Sequence, residues 1–157
     1  MVLFISINTL KTEYIIDDNL DDKYILSIIK KGQDFNIKPI LGNIKYQQLL
    51  NDINDNSVST EDDILIKDYI QPVLAYFVLS ELVYATAYKM KNAPDYQSNP
   101  NTDRFEELIR ISKHYLNDSK AYENILIQYI INNNIVLQSN DGNGVLKSEY
   151  KSGIFLG

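Results

Sequence analysis

The sequence predicts a mainly α-helical fold: a bundle of four to five helices with an extended N-terminal arm and a C-terminal β-hairpin or extended tail. Three observations carry that prediction. Apolar residues recur at helical spacing along most of the chain. Prolines and capping residues divide those stretches into helix-length pieces. A chain of 157 residues, 45% of them hydrophobic and 23% charged, suffices for one domain with its own core. The expected layout is a single domain, with the arm over residues 1–16, the bundle over 17–134 and the hairpin or tail over 135–157.

Each element has its own justification. Leu3–Ile7 is β-prone and apolar, which suits a short strand or extended arm. Asp17-Asp18-Asn19-Leu20-Asp21-Asp22 supplies caps and first-turn carboxylates for helix one, which carries Tyr24, Ile25, Ile28 and Ile29, with Phe35 further along the same face. Gly32 weakens that helix and Pro39 is expected to end it. A short second helix follows, capped by Asn43 and carrying Ile44, Tyr46, Leu49, Leu50 and Ile53. Ser59 and Thr60 stand three residues before Asp62 and Asp63 and open a long third helix from about Glu61 to Lys91, which Pro72 should kink or cut. After the breaker segment Asn92–Thr102, Phe105, Leu108, Ile109, Ser112, Tyr115 and Leu116 keep helical period up to an expected break at Asn117-Asp118. A last helix with Tyr122, Ile125, Leu126, Tyr129 and Ile130 ends at Asn132-Asn133-Asn134. In the tail, Asn140-Asp141-Gly142-Asn143-Gly144 between apolar runs suits a hairpin turn.

Composition removes several kinds of chemistry. The chain has no cysteine, so disulfides, thiolate metal sites and a cysteine nucleophile are out; its one histidine, His114, leaves no multi-histidine zinc site. No nucleophile elbow and no glycine-rich phosphate loop is present. Neither Asp17–Asp22 nor Asn140–Gly144 completes a calcium loop, since the glutamate at its twelfth position is missing. Adjacent pairs such as Asp62-Asp63 and Glu106-Glu107 point about 100° apart on a helix and form no close dyad. The expectation is a protein that is not an enzyme and needs no cofactor or metal. A formal charge of −6 opposes an exposed nucleic-acid-binding face, although Lys89 and Lys91 leave a phosphate contact open. Val73–Ala87 is shorter than the roughly 20 residues of a spanning helix and contains Glu81, so it reads as a core helix without membrane contact. Twelve tyrosines suit protein interfaces, and equally the Ile, Asn, Lys and Tyr bias of AT-rich coding.

One stretch has a recognisable pattern. A helix leads into Gln33-Asp34, then Ile37-x-Pro39-x-Leu41-Gly42, then Tyr46-x-x-Leu49. As architecture, Pro39 stops one helix, Gly42 permits a tight reversal, and Tyr46 and Leu49 fold the next helix back. With Leu3-Phe4-Ile5-Ser6 and Asn19-x-Asp21 upstream, this pattern resembles head–tail connector (adaptor, or ring) proteins of tailed bacteriophages, in particular the ring proteins of crAss-like and other Bacteroidetes phages. The resemblance covers about the first third of the chain, and the long third helix by layout.

The resemblance implies a helical virion protein in a homo-oligomeric ring, a dodecamer, beneath the portal protein. Such a ring extends the DNA channel, supports adjacent tail or ring proteins, and passes double-stranded DNA without sequence-specific binding. The protein would be soluble in the host cytoplasm before assembly and would end at the head–tail interface of the virion. Phe4 in the arm and the hook Ile154-Phe155-Leu156 are the expected assembly contacts. The residues alone also admit a small helical protein-binding or regulatory module that forms no ring.

Overall fold

Helix-capping chemistry sets the first elements. In the structure, a computed structural model that describes residues 1–14, 16, 19–94 and 102–135, Ser6 accepts a hydrogen bond from the Thr9 amide and opens α1 (Ile7–Glu13). Asp21 accepts from the Lys23 amide and opens α2 (Asp22–Gly32). Of the acidic run thought to cap this helix, Asp21 is the capping residue, while Asp17 and Asp18 lie outside the described residues.

Pro39 does not end a helix. A π-helical stretch, π1 (Gln33–Ile37), continues α2 directly into α3 (Lys38–Asn54), with Pro39 in the first turn of α3. The same device recurs around Pro72, where α4 (Thr60–Ile64) passes through π2 (Leu65–Ile70) into α5 (Gln71–Lys91). In both cases the residue before proline donates its amide five residues back, Lys38 to the Gln33 carbonyl and Gln71 to the Ile66 carbonyl. A proline lacks an amide hydrogen and its ring crowds the carbonyl four residues earlier. A widened turn just upstream accommodates both defects, so the chain runs on without a break.

The break that Pro39 was expected to make falls at Gly42. Its φ of 73° and ψ of 161° lie in a region that essentially only glycine occupies, and a Cβ there would meet no neighbouring atom. Backbone conformation, not space, therefore demands the glycine. Gly32 serves differently: a Cβ on it would come within 2.9 Å of Phe77 and 3.0 Å of Leu74, so its bare backbone lets α2 lie close on α5.

α5 is the central helix and packs chiefly along α6 (Thr102–Asn132). Val73, Leu74 and Val78 are fully buried, and the core joins them to Ile25 and Ile29 of α2, Leu41 and Leu49 of α3, and Leu126 of α6. By length and composition the continuous helix Thr60–Lys91 is apolar enough to cross a membrane. Its buried face here lies against the bundle, and Glu81 within it pairs with Lys31 of α2 at 2.9 Å.

The expected break at Asn117-Asp118 is absent: α6 runs unbroken for 31 residues. Asn and Asp lower helix propensity by only tenths of a kcal/mol, and packing overrides that. Small buried serines hold the two long helices together, with Ser119 donating to the Val73 carbonyl at 2.9 Å and Ser112 to the Ser80 carbonyl at 3.0 Å. α3 and α6 end alike. Asn56 and Asn134 take positive φ, and the residue after each donates its amide five residues back into the last turn.

The N-terminus is not a free arm. Residues 7–13 are helical, and Phe4 and Ile5 are 2% and 1% exposed. The expected C-terminal hairpin and the hook Ile154-Phe155-Leu156 lie outside the described residues.

Candidate functional site

The motif residues converge on one place, the junction of π1, the N-terminal segment and α3. π1 turns Gln33 inward, and this side chain is 3% exposed. Its Oε1 accepts the Phe4 amide at 2.7 Å, and its Nε2 makes longer contacts of 3.5 Å to the Val2 carbonyl and the Tyr46 hydroxyl. Tyr46 in turn donates to Asp34 at 3.2 Å, and Asp34 holds Lys30 at 3.2 Å. Burial raises the Tyr46 phenol above its usual range, so it stays a neutral donor.

A second glutamine closes the clamp from the other π-helical junction. Gln71, just before Pro72, donates its Nε2 to the Phe4 carbonyl at 2.8 Å. Both backbone groups of Phe4 are thus taken by glutamine side chains, while its ring meets Tyr46 edge-on with centroids 5.5 Å apart. This corrects the expectation for Phe4. As an assembly contact it needs an exposed ring, and the ring is in the chain's own core.

Ile37, Leu41 and Leu49 are fully buried beneath this network, and Pro39 and Gly42 shape the turn above it. Every buried side-chain nitrogen or oxygen among the described residues has a hydrogen-bond partner. The chemistry of the arrangement is positional, since its donors and acceptors are spent on one another and on the N-terminal backbone.

Phe35 lies elsewhere than its spacing from Ile28 implies. It is 73% exposed, because the wide turns of π1 rotate the chain relative to an α-helix and bring Ile37 onto the buried face instead. A shallow groove of about 430 Å³ opens beside the clamped segment, lined in part by Leu3, Phe4, Ile53, Val58 and Ile66.

The other groups singled out from sequence are dispersed. Asp62 binds Lys45 at 2.6 Å, with both side chains 12% exposed, and so ties α4 to α3. Its neighbour Asp63 turns to Lys67, as expected for adjacent acids on a helix. His114 is exposed and 3.6 Å from Asp118. Lys91 lies over the rings of Phe105 and Tyr88, and Lys89 over that of Tyr24. Among the described residues no group of three or more His, Cys, Asp or Glu is placed to share a metal ion.

Gln71 was not legible as part of the site, since nothing in its local sequence points to residues some seventy positions earlier. Nor was a half-buried tyrosine cluster, in which Tyr76 of α5 stacks on Tyr122 at 5.3 Å and meets Tyr14 edge-on at 6.0 Å.

The corner and both long helices coincide with a family match. The model of a family of unknown function, DUF6712, matches residues 37–137. The chain belongs to that family. The matched stretch begins at Ile37, inside the motif, so Gln33, Asp34 and the N-terminal segment precede it. No curated protein and no solved structure matches the chain.

Proposed function

We propose that this chain is a subunit of a head–tail connector ring of a tailed bacteriophage, a virion structural protein without catalytic activity. The ring lies beneath the portal, extends the DNA channel and supports tail attachment. The observation that carries this reading is the Pro39 corner. The residues that resemble the connector family are spent on a buried network that fixes the chain's own N-terminal segment, as suits a framework subunit.

The partners follow from the same reading: further copies of the chain in a ring, by resemblance a dodecamer, together with the portal and adjacent tail or ring proteins. Double-stranded DNA passes without sequence-specific binding, because a subunit charge of −6 repels phosphates. The protein is soluble in the host cytoplasm before assembly and reaches the head–tail interface of the virion. With Phe4 committed to the core, Ile154-Phe155-Leu156 is the remaining apolar contact of those expected from sequence.

Deleting residues 154–157 tests this. The expected result is an unchanged helical circular dichroism spectrum with loss of co-sedimentation with the portal. Full portal binding by the truncated chain would remove the hook from the account, and a full-length chain that ignores the portal would overturn the assignment. The half-buried cluster of Tyr14, Tyr76, Tyr115 and Tyr122 favours the second reading, a protein-binding or regulatory module without ring assembly. That reading predicts a monomer under all conditions.

A further inference from the structure

Phe35 is an exposed aromatic side chain, and the groove lined by apolar Leu3, Ile53 and Val58 together with polar Thr9, Asn56 and Asp63 is a concavity of mixed polarity on the same molecule. We propose that Phe35 of one copy inserts into this groove on the next copy, forming a head-to-tail contact. The inference rests on the ring reading and names the contact that builds the ring.

Geometry separates the two features. Residues 33 and 35 lie about half a turn apart in either α or π geometry. Gln33 turns inward to Phe4, which itself lines the groove, and Phe35 therefore faces the other way. A chain cannot fill its own groove with its own Phe35. Two unlike patches that complement each other and face apart make a heterologous contact, which repeats from copy to copy and closes into a ring when the rotation allows. With a volume of about 430 Å³ the shallow groove has room for a phenyl ring.

Charge is complementary as well. Lys30 and Lys31, with side chains 58% and 50% exposed, precede Phe35, and Asp34 adjoins it. Asp63, which pairs with Lys67 at 2.8 Å, stands in the groove wall, Glu61 is in the same helical turn, and Asp55 adjoins the groove residue Asn56. Lys30 and Lys31 also hold carboxylates of their own chain, so charge steers the encounter and sets its polarity while the phenyl ring anchors it.

The test uses the full chain, alone and with the portal, and reads mass by sedimentation and native mass spectrometry. Phe35→Ala should leave the fold intact and weaken self-association about 30-fold, the effect of losing an anchor residue. Val58→Arg should block the groove to a similar degree; Thr9→Arg, on another wall, replaces it if circular dichroism shows Val58→Arg misfolded. The decisive result comes from mixing. The Phe35→Ala copy keeps a groove and the Val58→Arg copy keeps a phenyl ring, so the two should pair one to one and grow no further. Phe35→Ala chains that still assemble like the unaltered protein would overturn this contact while leaving the ring standing. So would folded variants that fail to pair. An unaltered chain that stays monomeric alone and on the portal would instead remove the ring reading itself.

Discussion

Gln33 shows how one side chain can organise a terminus. Its carbonyl oxygen is the acceptor for a buried amide, and a buried amide without an acceptor costs about 1–3 kcal/mol. Gln33→Leu keeps similar bulk but offers no acceptor. It should destabilise the protein by about that amount, with a fall in Tm of about 2–4 °C per kcal/mol for a domain of this size. Amide hydrogen exchange at residues 2–5 should accelerate at the same time. Unchanged stability and protection would mean that Gln71 alone holds the segment. Sequence singled out Gln33 and Asp34 through the motif, but their partners were hidden. A glutamine in a helical stretch looks like a surface residue until the chain brings an unpaired amide to it from 29 positions away.

The helices themselves were largely legible, because their caps and apolar periods are local. Asp21, Ser59 and the Asn132–Asn134 stop all act where the sequence places them. Misreadings arose where local rules meet long-range packing. Prolines 39 and 72 look like stops because their missing hydrogen bonds are visible in sequence, whereas the wide turns that absorb them are not. One consequence is Phe35, read onto the buried face by α-helical counting and turned out by π1. Another is α6, where Asn117-Asp118 reads as a break but packing against α5 holds the helix together. Asn117→Pro discriminates directly. It should cost about 3 kcal/mol in a continuous helix, seen as a large drop in thermal stability. A variant as stable as the unaltered chain would mean that the helix is interrupted there.

The described residues are built around a long apolar helix whose Val73–Leu82 stretch packs among its neighbours, with a short N-terminal segment clamped between two π-helical junctions. Sequence anticipated the central helix, and the family match spans both long helices. It did not anticipate the clamp, which depends on Gln33 and Gln71 meeting the same residue from opposite sides. Such a framework fixes the groove at the clamped segment and the outward Phe35 relative to each other, which repeated identical contacts require. Native mass measured together with negative-stain imaging, for the purified chain alone and with the portal, decides whether the proposed ring forms. A closed ring is expected, on its own or templated by the portal; a chain that remains monomeric in both settings would overturn the connector assignment.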